Sequence, residues 1–193
     1  MNTFQPAGVC RSLLRSKEEP VCGVGRRYVL FTVFFVSLCL VGCSQGLDKR
    51  RFSGVHGTAR TVNHSLSTGV SYHEFSNQVL HFSHELSLLT GKKLSDREQD
   101  LLKKYKDLLA IYEDGLLLWK YKLEGARYHF IPEGVIYVGQ DVEPVVEKYR
   151  FSTESHVYAP TKQVWKSIPG DSLHVIWQNA DSQLAIIEAF PED

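Results

Sequence analysis

The chain has 193 residues, with 22 basic and 22 acidic side chains, so its formal charge gives no electrostatic reason to expect a nucleic-acid partner. Its hydrophobic content of 43% is that of a globular protein rather than a disordered one. The charge is unevenly spread: residues 1–42 carry a balance of about +3 and the remainder about −3, a basic leader on a mildly acidic body.

From the N-terminus, Arg26-Arg27 precedes Tyr28–Val41, a stretch of ~14 residues without charge. It ends in Leu40-Val41-Gly42-Cys43. A basic start, an apolar run and a small residue before a cut describe a secretory signal. At 1.5 Å per residue the run covers only about 21 Å of a ~30 Å hydrocarbon core, which argues against a spanning anchor. Leu40-Val41-Gly42-Cys43 resembles the lipobox of bacterial lipoproteins. That resemblance implies diacylglycerol on the Cys43 thiol and cleavage of the Gly42–Cys43 bond. It also implies a membrane attachment through lipid at the new N-terminus. Two or more acyl chains are what stable anchoring requires, since one binds only marginally. In that family's sorting logic Asp after the lipidated cysteine favours inner-membrane retention. Ser44 stands there instead, so the outer membrane is expected in a Gram-negative host, with the body on the periplasmic or extracytoplasmic side.

The stretch ahead of Arg26 is long for the start of such a signal, and Met1 is the only methionine. A non-ATG start near Val21 or Val24 would shorten it. Arg26-Arg27 faintly resembles a twin-arginine export signal, but the very apolar run favours the general secretion route. Cys10, Cys22 and Cys39 all precede the proposed cut, so the mature chain keeps Cys43 alone. No disulfide framework, zinc site or catalytic thiol is then expected.

Residues 43–70 are rich in Gly, Ser, Thr and Arg and read as a lipidated tether. The domain is expected over 71–190. Ser71 and Glu74 have capping-box spacing. Behind them Tyr72, Phe75, Val79, Phe82, Leu86 and Leu89 alternate steps of three and four, which puts all six on one helical face. Gly91 is placed to end this helix in a left-handed cap. Ser95 and Glu98 open a second helix of about 29 residues, whose stripe is Leu102, Tyr105, Leu109, Tyr112, Leu116, Trp119 and Leu123, widened by Leu101 and Leu108. A short link should fold the two back antiparallel, and the longer, at roughly 43 Å, needs a further partner for its far end. Leu173, Trp177, Ala180, Leu184 and Ile187 supply a third stripe, capped by Asp171 or Ser172 and ended by Pro191. The fold class expected is mainly α: a three-helix bundle with a small mixed α/β insertion at about 124–170.

In that insertion Ile131-Pro132-Glu133-Gly134 reads as a turn between possible strands Tyr128–Ile131 and Val135–Val138. Asp141 is placed to cap a short helix through Val145, Val146 and Tyr149, and Val157-Tyr158 suggests a further strand. A connection of forty-odd residues is long, and long connections often carry function; a lid over the open end of the bundle is the plainer account.

Chemical candidates are few. His81, His84 and Glu85 form a His-x-x-His-Glu cluster with permitted metal-ligand spacing, and Glu74 lies seven residues before His81. The stripe through Phe82 turns both histidines outward, and no second cluster supplies further ligands. His129, His156 and His174 stand alone. There is no Gly-x-Ser-x-Gly elbow and no strand before Gly54-Val55-His56-Gly57 to make a phosphate loop. Gly170-Asp171-Ser172 resembles the nucleophile block of some lipid hydrolases but opens a helix, where capping explains it. Trp119, Tyr128, Tyr137 and Trp165 are candidates to line a ligand cleft; boundary packing is the duller reading. The sequence therefore points to a non-enzymatic envelope lipoprotein without a cofactor, contacting another envelope protein or the cell wall. A small-ligand-binding lipoprotein using the insert, and a metal-dependent enzyme using the histidine pair, are the alternatives.

Overall fold

Three capped helix starts set the frame. In the computed structural model, which describes residues 48–191, the Asp48 side chain accepts from the Arg50 amide and opens α1, Lys49–Thr68. Ser71 accepts from the Glu74 amide and opens α2, Tyr72–Thr90. Ser95 and Glu98 make a full capping box at the start of α3, Asp96–Gly125. Each such cap satisfies amides that the helix itself leaves free. The described region is mainly helical with one three-stranded antiparallel sheet. Gly42, Cys43 and Ser44, and with them the whole lipobox reading, lie outside the described residues.

The largest correction concerns the stretch read as a tether. Residues 49–68 form a helix, not a linker, and its Phe52, Val55, Ala59 and Val62 are buried in the same core as α2 and α3. Those residues step by three, four and three, so one face of α1 is apolar although most of its residues are polar. The expected helix count rises accordingly: four long helices pack together where three were expected. Polar contacts fix α1 in place. Arg51 reaches the buried carboxylate of Glu98 at 3.5 Å. Asn63 donates to Asp181 at 2.8 Å and accepts from the Tyr112 hydroxyl at 3.3 Å, joining three helices.

The α2 stripe behaves as read, with Phe75, Val79, Phe82, Leu86 and Leu89 buried. The α3 stripe does so only in its first half: Leu101, Leu102, Tyr105, Leu108 and Tyr112 are buried against it, but the buried row then runs through Gly115 and Leu118, while Leu109, Leu116 and Trp119 are half-buried and Leu123 is 45% exposed. Gly91 does follow α2, but its φ is −90° and ψ −1°, so the expected left-handed cap is absent. The turn there is closed by the Lys92 amide donating to the Leu89 carbonyl, a bond that any residue at 91 permits.

Beyond α3 come β1 (Val135–Val138), a short α4 (Glu143–Tyr149), β2 (Glu154–Tyr158), β3 (Gln163–Pro169) and α5 (Ser172–Glu188). Both β1 and β2 pair antiparallel with β3, giving the order β1-β3-β2. Tyr128–Ile131 is a turn, not the expected strand, and β3 is a strand the sequence reading did not find. Asp171 precedes α5 without a side-chain bond to it. Gly134, at φ +81°, takes the left-handed conformation that the turn before β1 needs. The Gly134 carbonyl accepts from the Gly170 amide at 2.6 Å, closing the sheet onto the start of α5.

The sheet's inner face supplies Ile136, Val138 and Ile168 to a second apolar cluster with Leu118 of α3, Val142, Val145 and Val146 around α4, and Ile176 of α5. Helices α3 and α5 cross closely where Gly115 meets Trp177: a Cβ at 115 would collide with the indole ring. Asp114 holds α4 down, accepting from Lys148 at 2.6 Å and from the Tyr149 hydroxyl at 2.9 Å.

The tether and helix readings of residues 49–68 make opposite predictions. Phe52→Ala in a tether would be neutral. In a buried site at 2% exposure it should cost about 3–5 kcal/mol of unfolding free energy, read as a lower midpoint in urea with little change in slope.

Candidate functional site

Strand alternation separates two faces of the sheet. Ile136 and Ile168 point inward, so their neighbours Tyr137 and Ser167 share the other face with Trp165, Gln163, His156 and Tyr158. This outer face is dense in aromatic rings. His156 and Trp165, directly opposed across the strands, stack at 4.2 Å and 21°. The imidazole also shares a 2.7 Å hydrogen bond with the Ser167 hydroxyl. Tyr137 lies 5.9 Å from Trp165 on the other side.

The turn after α3 completes the arrangement. Phe130 sits 4.9 Å from Tyr158 and 6.2 Å from Trp165, and Tyr128 lies 5.6 Å from Phe130. Tyr128, Phe130, Ile131, Tyr137, Tyr158, Gln163 and Trp165 thereby line an open groove of about 330 Å³. No lining residue carries a formal charge. The groove offers aromatic faces, with phenol, indole N–H and amide groups as neutral hydrogen-bonding partners. Tyr128 and Phe130 remain 55% and 46% exposed, so these rings are not spent on internal packing. Boundary packing explains a ring with one wet edge; it does not explain two neighbouring rings half in water.

Three of the four aromatic candidates thus converge, Tyr128, Tyr137 and Trp165. Trp119 does not. It packs among Tyr72, Phe75 and Trp177 between α2, α3 and α5, far from the outer sheet face in connectivity and in role. Phe130, Ile131, Tyr158 and Gln163 line the groove as well and were not among the candidates. The alternation of Gln163 and Trp165 with Val164 was a usable signal for Gln163, but only with β3 recognised.

His81 and His84 are exposed on α2 and Glu85 is half-buried. Among the described residues no group of three or more His, Cys, Asp or Glu is placed to hold a metal ion, so this trio carries no site. Gly170 and Ser172 are buried at the sheet–helix junction and Asp171 is exposed, an arrangement of a helix start. A larger cavity of about 520 Å³ lies between α1, α3 and α5. Its polar rim is already paired, His56 with the Tyr105 hydroxyl at 3.0 Å and Arg60 with Glu188 at 3.4 Å. It therefore presents fewer free recognition groups than the aromatic groove.

The groove is braced from behind by Tyr121, which stacks on Tyr137 and donates to the Asp141 carboxylate. Asp141, expected as a helix cap, serves this bond instead; Val142 occupies the cap position of α4. The bond to Asp141, then burial and the nearby carboxylates, push the Tyr121 phenol from 10.0 up to about 12. Folding therefore favours the protonated phenol. The stabilisation is complete below pH about 10 and fades as pH rises towards about 12. Tyr121→Phe should remove one late phenolate from an ultraviolet titration and flatten the alkaline loss of stability in that window. An unchanged titration would refute the assignment.

Comparison with family models, curated proteins and solved structures gives no significant match to this chain.

Proposed function

We propose that the protein is a non-enzymatic lipoprotein of the bacterial cell envelope, anchored through lipid on Cys43. It engages an envelope partner through the aromatic outer face of its β-insert. In this reading the helices form a four-helix bundle whose role is to carry and orient the insert. The observation that carries the proposal is the convergence of Tyr128, Phe130, Tyr137, Tyr158 and Trp165 around one open, uncharged groove. Tyr and Trp are the residues that supply most of the energy at recognition surfaces, because each gives large contact area for few rotatable bonds.

The groove's openness favours a segment of a partner over an enclosed carrier site. Its volume lies at the low end of small-molecule pockets, which leaves a small uncharged ligand as the second reading. With α1 beginning at Lys49, only residues 44–47 stand between the lipidated cysteine and the Asp48 cap. The long flexible tether first expected has no part in the proposal.

The anchor is tested by growing cells with labelled palmitate. The parent chain should carry label, sediment with membranes and begin at Cys43 in mass spectrometry. Cys43→Ala should lose label and remain unprocessed. A Cys43→Ala form that is labelled and cleaved like the parent would end the lipoprotein reading.

A further inference from the structure

Charge divides the helical body into a basic end and an acidic remainder. α1 begins where α2 ends and α3 starts: the Arg51 guanidinium donates to the Lys93 carbonyl at 3.4 Å and meets the Glu98 carboxylate at 3.5 Å. Pro191, just beyond α5, lies at the same end, where its carbonyl accepts from Arg97 at 3.4 Å. The segments that build this end, residues 48–51 and 90–107, hold nine basic and five acidic side chains. The remaining described residues hold eight basic and thirteen acidic ones. Of the five acids, Asp48 and Glu98 are both engaged by Arg51. Asp96, Asp100 and Asp107 remain, so the end keeps a net positive charge. Arg50, Lys92, Lys93, Lys103 and Lys106 are exposed, and among the described residues none of them is in an ion pair. Lys92, Lys103 and Lys106, with Thr90 and Gln99, line an open recess of about 340 Å³ to which no carboxylate contributes.

We propose that this basic end docks on a bilayer surface containing anionic phospholipid, with phosphate-bearing headgroups against Lys92, Lys103 and Lys106. The inference rests on the lipid anchor proposed at Cys43. From Cys43 to Asp48 there are five Cα–Cα steps, which span at most about 18 Å. A chain anchored at Cys43 therefore holds the start of α1 within about two Debye lengths of the headgroups at 0.1 M salt. Basic side chains at that distance are drawn to an anionic surface, and the attraction fades over the same range. The acidic remainder of the body is repelled, so the division of charge turns the bundle upright on the membrane. α3 then runs outward for 30 residues, about 45 Å at 1.5 Å per residue. The turn after it carries Tyr128 and Phe130, so the aromatic groove stands away from the bilayer, where a partner reaches it.

The test uses the purified mature chain with its lipid, in vesicles of phosphatidylcholine alone or with roughly 30% phosphatidylglycerol. Lysines are acetylated by a soluble reagent and their rates are read by mass spectrometry. Lys92, Lys93, Lys103 and Lys106 should react about fivefold more slowly in the anionic vesicles at low salt, and this protection should vanish near about 0.5 M salt. Lys162, exposed in the turn between β2 and β3, should react equally in both. A chain carrying Lys92→Glu, Lys103→Glu and Lys106→Glu together should keep its anchor and its urea midpoint, yet Lys93 should lose its protection. Equal rates in the two vesicle types, for a chain that does carry lipid on Cys43, would overturn the docking surface and leave the anchor standing. A mature chain without lipid on Cys43 would remove the anchor and this inference with it. Protection in neutral vesicles by millimolar glycerol phosphate would assign the recess to a free phosphate ligand instead of the membrane.

Discussion

A helix of 30 residues cannot be covered by neighbours of 19 and 20, and most of this fold follows from that mismatch. The first half of α3 buries Leu101, Leu102, Tyr105 and Leu108 against α1 and α2. Its second half would leave Leu118 wet without the sheet, α4 and the start of α5, which close over it as a separate apolar cluster. Ile111 and Trp177 touch both clusters, so the two are coupled through α3 and α5. Gly115 permits that coupling by letting Trp177 lie against the backbone of α3. The usual cost of a mid-helix glycine, roughly 1 kcal/mol against alanine, is small beside the overpacking a methyl would cause there.

The same arrangement explains why the insert has a spare face. A small sheet that covers a helix needs one apolar side, and Ile136, Val138 and Ile168 provide it. Nothing in that task requires Trp165, Tyr137, His156 or Tyr158 on the other side. Water-facing positions of an antiparallel strand are ordinarily polar. Here they hold stacked rings, and Phe130 packs against Tyr158 and Trp165 with Tyr128 beside it. Tyr121 and Asp141 fix Tyr137 from behind, so the platform is held in shape before anything binds. A rigid recognition surface loses less entropy on association than one that must first be ordered.

Much of the helical frame was legible in the residues because caps and stripes agreed. Ser95 and Glu98 mark the start of α3 within one residue, the row through Phe82 is buried, and the row through Tyr105 holds as far as Tyr112 before the buried face shifts to Gly115 and Leu118. The α1 helix was hidden by its composition. Gly54, Gly57, Thr58, Thr61, Ser65 and Ser67 are weak helix formers, and hydroxyls such as Thr58 and Thr61 bond back to the preceding turn. Its row of Phe52, Val55, Ala59 and Val62 was present but outweighed, and only packing against α2 makes it decisive. β3 escaped because Gln163–Pro169 begins polar, ends in proline and earns strand character from two neighbours distant in sequence. For the groove, sequence singled out aromatic residues but not their destinations. Trp119 and Trp165 look alike in the chain, yet helical phase sends one into the core and strand alternation sends the other out. Phe130 was assigned to a strand, and its place in the wall depends on the turn that replaced it.

The central claim is that the outer face of the sheet, rather than the helices, meets the partner. Site-specific photocrosslinking in growing cells tests it most directly, with benzoylphenylalanine placed singly at 128, 137 or 158 and, as controls, at the exposed helix positions 73, 81 or 103. One discrete adduct of the same mass from the three sheet-face positions, and none from the helix positions, is the predicted result. Adducts confined to the helix positions, or no adduct from the sheet face, would contradict the account.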